Sequence, residues 1–219
     1  MKLQRQLYTI IILALPALAV AQNLTASGFF KSDTVSCTYL GIDFTQAKLI
    51  NDEASNPQVI QERQFQGINF LMIKESKKYD LQEAYRRKTW NPDIKEVDIR
   101  NQKVDPDSLG SKNDADLYRL GEEDIDRLVG DFNFGNKKGY GILLIVEGMS
   151  KSKKIMTVWF TLIDMNTKKV LQTDMLEGKV GSGFGFRNYW ATALKNAINQ
   201  VKNKKYEEWA EMPSRTAFH

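Results

Sequence analysis

The chain has 219 residues, 42% hydrophobic and 26% charged, with a formal net charge of +4. That composition excludes a disordered chain and is enough for one domain with a substantial core. The mild basic excess comes without a dense basic patch or a recognition motif, so nucleic acid is not an expected partner.

Residues 1–21 read as a cleaved signal peptide. Lys2 and Arg5 open it, an apolar run from Leu7 to Val20 follows, and Ala19-Val20-Ala21 supplies the small-x-small cleavage pattern. The run is shorter than the about 20 apolar residues of a membrane span, and Pro16 interrupts it. The expected mature chain starts near Gln22, outside the cytoplasm, with no integral membrane segment. Losing Lys2 and Arg5 lowers the net charge from +4 to +2.

Residues 22–34 are small and polar and read as a lead-in. Residues 35–44 are rich in β-branched and aromatic side chains and read as a strand, with Thr38, Leu40, Ile42 and Phe44 on one face. Asn56-Pro57 supplies a helix cap and a proline at the first helical position. The helix that follows has an apolar side built from Ile60, Gln64, Ile68, Leu71, Met72 and Glu75, weakened at Gly67. A second helical piece over 79–87 carries Leu81, Ala84 and Tyr85, and Asn91-Pro92 breaks it. Residues 96–100 alternate and read as a short strand, 101–116 as a polar loop, and the acids before Ile125, Leu128 and Val129 as the start of a helix.

The C-terminal third carries the clearest pattern. Residues 140–146 form an apolar run, the mark of a strand buried on both faces. Residues 155–164 and 169–174 flank the turn Met165-Asn166-Thr167-Lys168 and read as an antiparallel hairpin. Residues 188–202 form a helix with Trp190, Leu194, Ala197, Ile198 and Val201 on its apolar stripe. The expected fold is a single α/β domain over 35–205, a mixed sheet with packed helices in the order β-α-β-α-β-β-β-α. The tail 206–219 is expected to be peripheral.

The chain's one histidine, His219, is its last residue, which leaves no imidazole for a Ser-His-Asp, Cys-His or His-zinc arrangement. Cys37, the one cysteine, cannot form an internal disulfide and reads as a small buried residue. Glu147 and Asp164 end two expected strands and are the remaining candidates for an acid–base pair in a hydrolase acting on an envelope polymer. Asp105-Pro106-Asp107-Ser108-Leu109-Gly110, with Asp116, only partly fits a calcium loop, because Leu109 falls on a ligand position. No cofactor or metal is implied.

Gly181-Ser182-Gly183-Phe184-Gly185-Phe186-Arg187 joins a strand to a helix without the spacing of a nucleotide-binding loop. Its glycines either expose backbone N–H groups to an anion, with Arg187 assisting, or allow a tight crossover plugged by Phe184 and Phe186. Gly183, Gly185, Arg187, Tyr189 and Trp190 make the densest unusual cluster and are the candidate binding residues. Trp159 fits either core or surface, while Trp90 and Trp209 flank less regular segments.

Two stretches carry a resemblance: Tyr39-Leu40-Gly41-Ile42-Asp43-Phe44, and the strand, turn and returning strand from Val158 to Leu171. They resemble the α/β domain shared by TolB amino-terminal domains, the periplasmic lipoprotein activators of penicillin-binding proteins and CsgG-like envelope proteins. The chain departs from that pattern in lacking a cysteine just after the cleavage point and the long alternating hairpins of a pore. The resemblance implies a non-catalytic envelope module that binds a protein partner. The expected function is therefore an exported binding protein, periplasmic or secreted. A carboxylate-dependent hydrolase and a calcium-stabilised binding module are the alternatives.

Overall fold

The computed structural model describes residues 24–213, so the expected signal segment 1–21 and residues 214–219 of the tail lie outside the described residues. Strand β5 (Tyr140–Ser150) is the axis of the sheet, and every one of its residues is buried. On one side it pairs in parallel with β1 (Cys37–Asp43) and, further along, with β2 (Lys48–Ile50). Outside these lie β3 (Trp90–Pro92), parallel to β1, and β4 (Gly110–Ser111), parallel to β2. On the other side β6 (Ile155–Asp164) and β7 (Lys169–Lys179) add as an antiparallel hairpin.

The alternation of β5 decides which layer sits on which face. Ile142, Leu144 and Val146 point into the larger core, with Met156, Val158, Phe160 and Leu162 of β6. Leu143 and Ile145 point into the smaller one, with Trp159 and Ile163. Each fully buried side chain of this size stabilises by about 1.5–3 kcal/mol. Helices α1 (Ala26–Phe30), α3 (Phe65–Lys74), α7 (Gly185–Gln200) and α8 (Tyr206–Glu211) cover the larger face. Helix α6 (Glu122–Gly130) covers the smaller through Ile125 and Val129, joined by Phe132 and Phe134.

Strand β1 departs from simple alternation. Gly41 has φ +102°, and the pairing to β5 shifts between Tyr39 and Gly41. This bulge puts Leu40 in the smaller core while Tyr39, Ile42 and Phe44 share the larger one, so the single face expected for Leu40, Ile42 and Phe44 is corrected. A Cβ at Gly41 would stand 2.9 Å from Asn69 Oδ1.

Asn56 caps α2 (Pro57–Val59), accepting from the Val59 N–H with Pro57 in the first turn. The helix then passes through a π-helical turn, Ile60–Gln64, into α3. That turn adds one residue to the step, so Phe65 rather than the expected Gln64 follows Ile60 into the core. Helix α4 (Leu81–Ala84) is capped by Asp80. The expected strand over 96–100 is instead helix α5 (Lys95–Asn101). Its inward residues are Val97 and Asn101, four apart, and Ile99 is exposed. Five alternating residues fit both periods, and the true extended piece, β3, lies just before them.

Beyond Tyr39↔Pro92 the strand β3 ends, leaving the outer edge of β1 without a ladder partner. Two buried asparagines replace it. Asn69 of α3 accepts the Ile42 N–H at 2.7 Å and donates to the Ile42 carbonyl at 2.9 Å. Asn101 of α5 accepts the Phe44 N–H at 2.7 Å and donates to the Ile42 carbonyl at 2.9 Å.

The two ends of the described chain also meet in the core. The lead-in buries Phe29 and Phe30, and the supposed peripheral tail continues through a π turn (Val201–Lys205) into α8, burying Tyr206 and Trp209. Arg87, 4% exposed, ties them. Its guanidinium donates to the carbonyls of Tyr85, Phe29 and Ser32 and to the Tyr206 hydroxyl, which itself donates to the Phe30 carbonyl. The result is one mixed α/β domain. No helix of the described residues is long and apolar enough to cross a membrane.

Replacing Asn69 with Ala leaves the Ile42 N–H buried and unpaired. The expected loss is about 2 kcal/mol of unfolding free energy in urea titration, with no change in the denaturant slope.

Candidate functional site

Of the five residues proposed as a binding cluster, the structure separates four directions. Gly183 and Gly185 lie on the exposed connection into α7, where Gly185 has φ +76° and a Cβ on Gly183 would stand 2.6 Å from the Asn188 carbonyl. Trp190 is fully buried, between Phe186 and Tyr189, so its place in a surface cluster is corrected. Tyr189 turns toward the β5–β6 connection, where the Lys151 ammonium lies 4.3 Å from its ring centre. Arg187 turns the other way, onto α3. At about 100° per residue, positions 187, 189 and 190 cannot share one face.

Phe184 also reverses its expected role. It is 96% exposed, while Phe186 packs against the core. The crossover is tight because of Gly178 rather than a phenylalanine plug: a Cβ at Gly178 would overlap the Ala193 carbonyl. Asn196 and Gln200 of α7 then donate to the Lys179 and Glu177 carbonyls at 2.7 Å each, holding the helix along the end of β7.

Arg187 lies directly over Gly67, and a Cβ at Gly67 would overlap its guanidinium. Gly67, read from the sequence as a helix weakness, is what admits the arginine. Around it is a recess of about 250 Å³ lined by Arg63, Gln66, Phe70, Lys74 and Arg187. Phe70 is 51% exposed there. None of the three cations forms an ion pair among the described residues, and Arg187 Nε is buried without a hydrogen-bond partner. Arg63, Gln66, Phe70 and Lys74 recur at three- and four-residue steps, a stripe that could have been read from the sequence.

Glu147 and Asp164 do not meet. Asp164 pairs across the sheet with Tyr140, seven residues before Glu147, a separation of about 20 Å. Glu147 is fully buried, because β5 runs four residues further than expected. Its carboxylate accepts the N–H groups of Arg119 and Leu120 and, at 2.9 Å, the Trp159 indole N–H. Burial raises its pKa, against the opposing effect of these donors. Asp164 caps the hairpin turn, accepting from the backbone and side chain of Asn166. Each carboxylate organises its own turn or loop.

In 105–116 the acids act as local caps: Asp105 accepts the Asp107 N–H and Asp116 the Ser111 hydroxyl, while Leu109 is buried. Among the described residues no group of three or more His, Cys, Asp or Glu side chains is placed to hold a metal. Cys37 is buried, and that burial pushes its thiol far above the ordinary range. No protein-family model matches the chain, and no curated protein matches it.

Glu147→Gln places an amide N–H₂ against N–H donors and lowers stability at neutral pH by about 1–3 kcal/mol, read by thermal or urea unfolding. The pH dependence changes as well. With its pKa raised on folding, Glu147 makes stability fall as pH rises from the ordinary carboxylate range through the raised value. The glutamine variant lacks that fall.

Proposed function

We propose that this chain is an exported, non-enzymatic envelope protein that captures an acidic, partly apolar segment of a protein partner through the Arg187 recess. The carrying observation is the convergence of Arg63, Lys74 and Arg187 on exposed Phe70 without a neutralising carboxylate. Cations left unpaired around a recess attract a negatively charged partner and speed its encounter. The exposed phenylalanine adds apolar contact area. Arg187 supplies the geometry: its guanidinium fork suits a carboxylate better than a lysine ammonium does. The signal segment and the likeness to envelope binding modules supply the setting. The separation of Glu147 from Asp164 leaves the hydrolase alternative without its paired acid and base.

The test compares capture from a native envelope extract by the intact mature chain and by folded variants. Arg63→Gln with Arg187→Gln is expected to weaken retention of the cross-linked partner about tenfold, and high ionic strength to weaken the parent in the same way. Unchanged capture by the folded double variant overturns the proposed surface. Gly67→Ala separates position from charge. Alanine is the better helix former by about 1 kcal/mol, so the melting temperature holds or rises. Its methyl displaces Arg187, so capture falls even though every cation is still present.

A further inference from the structure

A second recess, of about 320 Å³, opens between the C-terminal end of α3 and the edge strand β3. It shares no lining residue with the Arg187 recess. Its aromatic wall is the half-buried Trp90, against which the buried Tyr39 stacks with ring centres 5.6 Å apart and planes within 19°, and Tyr85 stacks on the same indole at 6.2 Å. Tyr39 is 2% exposed, and its hydroxyl has no hydrogen-bond partner. A buried phenol in that state is less favourable than phenylalanine. Burial also keeps it protonated, so it remains a donor.

The rim is polar, and much of its capacity is free. Asp80 uses one oxygen, Oδ1, to cap the Glu83 N–H at 2.9 Å, which leaves Oδ2 to accept. Gln82 spends its amide N–H₂ on the Arg87 and Lys88 carbonyls, which leaves Oε1 to accept. Lys77 and Ser76 add donors, and neither is paired with another side chain among the described residues. Lys77 and Asp80 cancel in charge, so the rim carries both donors and acceptors with no net sign.

We infer that this recess is a binding site for a neutral saccharide unit. A pyranose ring has an apolar C–H face that lies against an aromatic wall, and a girdle of hydroxyls that each donate and accept. That two-sidedness matches an aromatic wall below a rim of mixed donors and acceptors. A charged ligand would meet Lys77 and Asp80 with opposite effects, and a purely apolar one would strand the rim groups and the Tyr39 hydroxyl.

Trp90 is the one tryptophan of four that is not buried, so its emission reports on the site. The test titrates the full mature chain with glucose, galactose, mannose, N-acetylglucosamine and their disaccharides, alongside glucuronate and glucosamine. Emission and saturation-transfer NMR are both read. At least one neutral sugar is expected to bind saturably with Kd on the order of 1 mM, ahead of its charged counterparts. Tyr39→Phe, which removes only the unpaired hydroxyl, is expected to hold or raise the melting temperature and weaken that sugar about tenfold. Trp90→Ala abolishes the NMR transfer, and Arg187→Gln leaves it unchanged, which separates this site from the Arg187 recess. The inference is overturned if no neutral sugar saturates the parent, if a charged sugar binds more tightly, or if folded Tyr39→Phe and Trp90→Ala bind as the parent does.

Discussion

The pair of hydrogen bonds between Asn69 and the Ile42 backbone fixes where α3 sits, and both candidate recesses depend on that position. Strand β1 runs out of partners on its outer edge after Tyr39, and an unpaired buried peptide group there is strongly unfavourable. Asn69 and Asn101 supply the missing donors and acceptors from two different helices. The bulge at Gly41 makes this possible, because a side chain there would press on the Asn69 amide. Along α3, Gly67 lies two residues before Asn69 and Met72 three residues after it. Sliding or turning the helix would therefore disturb the seat of Arg187 and the wall of the Tyr39 recess together.

A second constraint comes from a cation with no acid beside it. Arg87 is held by three carbonyls and a tyrosine hydroxyl, with its guanidinium 4.3 Å from the Phe29 ring centre. Charge-assisted bonds of that number offset the desolvation of a buried cation. Because the Phe29 and Ser32 carbonyls belong to α1 and its exit, and the hydroxyl to α8, one side chain couples the first and last described elements. Arg87 also accepts, through its own carbonyl, the Gln82 amide that shapes the rim of the Tyr39 recess. The termini and that rim thus share one network.

The hairpin β6–β7, the buried strand β5 and the stripe of α7 were legible in the sequence because each carries a sustained signal: a turn between two β-rich runs, an unbroken apolar run, and an apolar stripe over several helical turns. Short segments were not. Residues 96–100 satisfied the strand period and the helix period alike, and only tertiary contact chose the helix. The π turn at 60–64 was invisible because it shifts phase without changing composition. Glu147 was misplaced by length: ending β5 at Val146 made it a surface charge, whereas the strand runs to Ser150 and encloses it. In the candidate cluster, Arg187 lines the recess on α3 while Trp190 lies in the core, where the helical stripe had already assigned it. The partner of Arg187, Gly67, was hidden because proximity between α3 and α7 is a property of the packed helices.

The two recesses divide α3 by chemistry as well as by place. Toward its N-terminal half the exposed stripe carries cations and one large ring; toward its C-terminal end the lining turns aromatic and electrically balanced. Core packing alone gives no reason for Arg63, Lys74 and Arg187 to gather around one recess beside an exposed phenylalanine. Nor does packing favour tyrosine over phenylalanine at position 39. The Gly67 and Tyr39 choices each leave the folded chain less favourable by about 1 kcal/mol or more than the nearest hydrophobic alternative. Local rules broken without compensation inside the fold are expected at functional or strained sites, and that expectation is the common ground of both proposals.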